Sequence, residues 1–191
     1  MRKLIFINMI RLKSLLTEIS LSTVKPYATQ FVWRDKWSDG EFFDCTIDAE
    51  GHPIMLSMHH FHRSQLGDSG EWQFAYFVRS RDSEGWTTSA GLSSVAGAVN
   101  VLRLFKTMGE AVRDFAETHP NVDVIDVSGG DMNSNKEMQK SRIYAELLAS
   151  NPDLNAFKLV HGATRLYLVR KNSDKPQPDA SGIDTPGDPN M

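Results

Sequence analysis

The stretch Ser94–Leu148, SVAGAVNVLRLFKTMGEAVRDFAETHPNVDVIDVSGGDMNSNKEMQKSRIYAELL, decides the fold. A small-residue turn (Ser94, Ala96, Gly97, Ala98) opens it, and Val101, Phe105, Met108, Val112 and Phe115 then recur at steps of four and three. That spacing places them on one face of a helix of about 3.6 residues per turn, and the face must pack on something. Arg103, Lys106, Glu110, Arg113, Asp114 and Glu117 fall mostly on the other side and are expected in solvent. Pro120 ends the helix, because proline has no N–H for the ladder and disfavours a helical residue before it. Val122–Val127 is short, β-branched and bounded by turn formers, which predicts a buried strand.

After Ser128, Gly129 and Gly130 a second helix is expected from Ser134, whose hydroxyl can cap it while Glu137 reaches back to the N–H of the cap. It carries Met138, Ile143, Tyr144, Leu147 and Leu148 and stops at Asn151-Pro152. Ala156–Val160 and Arg165–Val169 alternate apolar with polar residues about a turn and predict a closing hairpin.

Upstream, Phe31–Trp37, Glu41–Asp48, Pro53–His62 and Glu71–Ser80 are separated by turn-forming stretches, the spacing of an antiparallel meander. Trp86–Ser93 follows as a strand leading into the Gly97 turn. Phe42, Ile54, Leu56, Met58, Trp72, Phe74 and Tyr76 are the expected core. His60 and His62, two apart, would share a strand face and could offer two imidazoles to one metal. With no third ligand in the pattern, no metal is expected.

The 191 residues suffice for one domain, placed at 25–171. A formal net charge of -3 gives no electrostatic case for nucleic acid or an anionic membrane. No apolar run approaches the roughly 20 residues that span a bilayer. Cys45 has no second cysteine to pair with, which favours a reducing cytoplasm and a buried, inert thiol. Residues 172–191 are rich in proline and glycine with almost nothing apolar, and are expected to be a disordered tail. Residues 1–24 are expected to form an N-terminal helix with Leu12, Leu15 and Leu16 on one side. Residues 9–18 resemble the capsid-targeting peptides of phage internal head proteins, which end in a Leu-x-Glu cleavage site, here Leu16-Thr17-Glu18. By that resemblance the protein would be carried into the virion interior.

The order of meander, strand, small-residue turn, helix, strand, helix and final strands resembles the GNAT acetyltransferase fold over about Phe31–Arg170. The fold class expected is therefore α/β of the α+β kind, a mixed and largely antiparallel sheet flanked by helices. Gly97, Asn100, Phe105 and Thr107, then the strand Val122–Val127 and Ser141, Arg142 and Tyr144, are similar to small phage-encoded GNAT-like proteins. The resemblance implies acetyl-CoA as cofactor. Its pyrophosphate would lie on the turn formed by Ser94, Gly97, Ala98, Val99 and Asn100, because a helix start attracts anions. It also implies Tyr144 as the acid that protonates the departing thiol.

Two departures weigh against efficient transfer. Val99 stands where the acetyl-CoA motif has a small residue, and its side chain would crowd a phosphate. Trp86–Ser93 offers no carboxylate as general base for an amine, and nothing in the sequence places Glu71 or Glu84 to supply one. The reading that follows is a GNAT-like phage protein that binds a host or virion macromolecule in the host cytoplasm, the other being an acetyl-CoA-dependent N-acetyltransferase.

Overall fold

The computed structural model describes residues 21–61, 71–79, 86–87, 100–128, 142, 144–162 and 165–172. Within them the strands are β1 (Arg34–Asp35), β2 (Phe42–Asp48), β3 (Pro53–Phe61), β4 (Glu71–Arg79), β5 (Trp86–Thr87), β6 (Val124–Asp126), β7 (Phe157–His161) and β8 (Leu166–Arg170). The long helix α1 spans Val101–Thr118, and residues 144–149 are also helical. The strands form one mixed sheet in the order β1-β2-β3-β4-β6-β8-β7, with β5 paired to β4 off that path. The chain is thus α+β.

β1 to β4 pair antiparallel in sequence order, as the meander requires. β6 then adds parallel to β4, with Glu71 beside Val124, Trp72 beside Ile125 and Gln73 beside Asp126. A parallel neighbour needs a crossover, and α1 lies in the connection that makes it. The closing hairpin inserts its second strand, β8, between β6 and β7.

α1 packs its stripe on one face of this sheet. Phe105, Met108, Val112 and Phe115 are fully buried with Leu104 and Ala111, against Ile54, Leu56, Met58, Trp72 and Phe74. Phe115 meets Trp33, Phe43 and Trp72 edge-on, with ring centroids 5.0, 5.3 and 5.0 Å away. Edge-to-face contacts of this kind add to plain area burial. Cys45 lies in the same core, and burial, before any nearby charge, raises its thiol pKa.

Three expectations are corrected. Of the two adjacent phenylalanines of β2, Phe43 and not Phe42 faces the core: register pairs Phe43 with Met58 on the helix side, and Phe42 with His59 on the opposite face. Lys106 is only 7% exposed rather than solvated. Its ammonium bonds Asp153 and lies 3.6 Å from Glu110, so the charge is compensated where it is buried. The first strand shrinks to two residues because the Asp35 carboxylate accepts the N–H groups of Trp37, Ser38 and Gly40 and turns the chain out of the sheet. Of the strand expected at Trp86–Ser93, Trp86–Thr87 is described, as β5 antiparallel on β4, and the rest lies outside the described residues.

The segment before β1 is strapped to α1. The Tyr27 N–H donates to Thr107 Oγ1 at 2.8 Å, and Trp33 Nε1 donates to Asp114 Oδ2 at 3.1 Å. The Arg103 guanidinium lies 4.1 Å over the Tyr27 ring, a cation–π contact. The expected peptide at 9–18, the Ser134–Glu137 cap, His62 and the tail beyond Asn172 lie outside the described residues.

Candidate functional site

Of the expected cofactor residues, Asn100 is described, while Ser94, Gly97, Ala98 and Val99 lie outside the described residues. Asn100 is the N-cap of α1. Its side-chain oxygen accepts from Leu102 N and Arg103 N at 3.1 and 3.2 Å, and its carbonyl accepts from Leu104 N at 3.0 Å. Its own N–H donates to Tyr27 Oη at 2.7 Å. A helix start attracts anions through N–H groups that lack intrahelical partners. Here the donors of Asn100, Leu102 and Arg103 are already spent inside the protein.

The other residues of the motif have structural work too. Phe105 is buried, and Thr107 is wholly buried, accepting from Tyr27 N while donating to Arg103 O at 2.7 Å. Each follows from position on the helix: Phe105 points to the core, and Thr107 faces the strap.

Tyr144 sits in the second helical segment with its ring 5.4 Å from Phe105, on the α1 side of the sheet. Tyr76 of β4 lies on that side as well, since register pairs it with the core residue Leu56. Its hydroxyl is buried without a hydrogen-bond partner among the described residues. Burial raises the Tyr76 pKa well above the usual phenol value, and the neighbouring Tyr144 adds to it. The Tyr76 phenol is therefore a neutral donor at ordinary pH. Arg142 reaches toward His161 Nδ1 at 3.5 Å.

A second polar group lies on the opposite face, where β4, β6 and β8 meet. Asp126 is fully buried and accepts from Arg165 Nη1 at 2.8 Å, from Ser128 N at 2.8 Å and from Ser128 Oγ. Ser128 Oγ in turn accepts from Leu166 N at 2.9 Å. Glu71 is 5% exposed, and its carboxylate stands 3.9 Å from Arg165 Nη1, beyond hydrogen-bond distance. Burial raises the Glu71 pKa, the charge of Asp126 raises it further, and Arg165 opposes them. The pair is asymmetric: Asp126 is well compensated, while Glu71 is a carboxyl able to hold a proton nearer neutrality.

These are residues sequence reasoning missed or could not place. Asp126 of β6 and Arg165, just ahead of β8, are 39 positions apart, and Glu71 joins them only through the parallel pairing of β4 with β6. A local pattern carries no signal of that.

The chain matches no protein-family model, no curated protein and no solved structure. Its chemistry must be argued from geometry. Glu71 and Tyr76 lie five residues apart on one strand, about 16 Å at 3.3 Å per residue, and on opposite faces. A base at Glu71 and an acid at Tyr144 therefore do not converge on one substrate atom. His59 and His60 also face opposite ways, His60 against Trp72 at 5.0 Å and His59 against Phe42 at 5.4 Å. No group of three ligating residues suited to a metal occurs among the described residues, and none of their helices is long and apolar enough to cross a membrane.

Proposed function

We propose that the chain is a GNAT-like protein of the phage type that acts by binding a host or virion macromolecule, without efficient acetyl transfer. The order of elements supports the likeness: an antiparallel meander, a helix, a strand parallel to the last of the meander, a helical segment and a closing hairpin. One observation carries the functional half. Three N–H donors at the start of α1, those of Asn100, Leu102 and Arg103, are taken by Tyr27 Oη and by the Asn100 side chain, which leaves fewer for an acetyl-CoA pyrophosphate. The separation of Glu71 from Tyr144 across the sheet points the same way.

The test is a thermal-shift titration of the full chain with acetyl-CoA, followed by an assay of thiol release with small primary amines. Acetyl-CoA at about a hundred times its dissociation constant would stabilise a binding protein by about 2.7 kcal/mol. We expect no shift and no turnover.

The second reading, an acetyl-CoA-dependent N-acetyltransferase with Tyr144 as general acid, is favoured by the buried, neutral phenol of Tyr76 beside Tyr144. A clear shift, with turnover lost in Tyr144→Phe, would establish that reading and overturn ours.

A further inference from the structure

We propose that Trp37, Phe42 and His59 form a docking knob for a lysine- or arginine-rich segment of a partner protein, which gives the binding reading above its surface and its partner chemistry. Trp37 is 58% exposed, although its indole stacks on Phe42 at 4.9 Å and 25° and meets the His59 ring edge-on at 5.3 Å. One face of the indole is thus supported by the sheet, and much of the side chain is presented to solvent. An exposed tryptophan backed by rings is the kind of anchor that dominates interface energetics.

The loop that carries it is fixed before any partner arrives. The Asp35 carboxylate accepts three backbone N–H groups, from Trp37 at 3.1 Å and from Ser38 and Gly40 at 2.8 Å each. Lys36 N donates to Phe42 O at 2.8 Å and closes the turn, in which Ser38 and Gly40 both have positive φ. An anchor already ordered loses less entropy on binding.

Charge selects the partner. Between Arg34 and Asp44 the chain carries four carboxylates, Asp35, Asp39, Glu41 and Asp44, against two cations, Arg34 and Lys36, the latter paired with Asp44 at 2.9 Å, so the net charge of the loop is −2. A field of that sign repels phosphate backbones and anionic bilayers and draws in basic side chains. Indole is also the best aromatic face for a cation.

The test uses the full chain and fluorescein-labelled hexa-arginine, with hexa-glutamate and a single-stranded oligonucleotide as competing probes, read by fluorescence anisotropy. Saturable binding of hexa-arginine is expected, weakened about tenfold by Trp37→Ala and by Asp39→Asn with Glu41→Gln, and retained by Trp37→Phe. No binding, equal binding by Trp37→Ala, or preference for the oligonucleotide overturns the proposal. The exposed position of Trp37 predicts a melting temperature close to wild type. If Trp37→Ala fails to fold, the Trp37→Phe and charge variants still decide. Acetyl-CoA turnover would overturn the functional reading alone, because the knob shares no residue with α1 or Tyr144.

Discussion

Asn151 occupies the space in which a side chain on Gly109 would have to stand. A Cβ built on Gly109 falls 1.8 Å from Asn151 Nδ2, 2.5 Å from its Cγ and 3.0 Å from its Cβ. The Asn151 amide fills that space to donate to Phe105 O and Lys106 O of α1, at 3.3 and 3.1 Å, while its oxygen caps the short turn Pro152–Leu154 through Asp153 N. Asp153 then bonds Lys106 and Arg113, so one side chain fixes where the second half of the chain meets the helix.

Gly109→Ala tests this contact by its sign. In a solvent-facing helix the change stabilises by about 1 kcal/mol. Here the whole Asn151 side chain would have to leave its bonds, and overpacking of a closed site costs about 1 to 3 kcal/mol. Chemical denaturation should show net destabilisation; a more stable variant would mean that Asn151 moves freely.

Phe105→Ala should cost about 3 to 5 kcal/mol, because the ring is buried mid-helix against Tyr144 and its removal leaves a cavity. A loss below about 1 kcal/mol by urea denaturation would contradict that packing.

Asn100→Ala should destabilise by about 1 kcal/mol through loss of the cap, and Asn100→Asp should retain most of it. Equal stability of all three proteins would show that the first turn of α1 is held by the Tyr27 strap alone.

The stability contributed at Glu71 depends on pH. Its folded pKa is raised, so between the unfolded and folded values the native protein holds the extra proton, and stability falls as pH rises through that window. Glu71→Gln should remove this part of the slope and leave the protein more stable than wild type at neutral pH. Denaturation midpoints of the two proteins, compared from the ordinary carboxylate range at about pH 4 upward, check it. A slope unchanged in the variant would assign the dependence to other groups.

Packaging in a phage head, which the resemblance of residues 9–18 to capsid-targeting peptides implies, requires cleavage after Glu18. N-terminal mass spectrometry of purified virions should find a form beginning at Ile19. Intact chain confined to infected-cell lysate would remove packaging from the proposal.

Much of the architecture was legible because it is local. The Phe105–Phe115 stripe, the stop at Pro120 and the turns between strands are each written within a few residues; α1 ends at Thr118, two positions before Pro120, and β2 to β4 appear within one position of their expected bounds. Phe42 and Phe43 show where local reading ends: two adjacent phenylalanines satisfy alternation in either register, and only pairing with Met58 selects Phe43 for the core. Lys106 reads as a solvated face until Asp153, 47 residues away, arrives beside it. The polar group around Asp126 fared likewise. Its members sit on or beside three strands brought together by a parallel pairing that no spacing encodes.

The strap that holds Tyr27 to Thr107 and Trp33 to Asp114 joins residues about 80 positions apart, and this bears on how the protein is made. During synthesis the whole meander leaves the ribosome before the helix that covers it. At about 5 to 20 residues per second, the interval between the end of β4 at Arg79 and the end of α1 at Thr118 lasts roughly 2 to 8 seconds. Throughout it the faces of Leu56, Met58, Trp72 and Phe74 have no lid. The nascent chain is then a sticky half-sheet, and its yield in a cell should respond to chaperone supply and to translation speed across those forty or so codons more than to the stability of the finished fold.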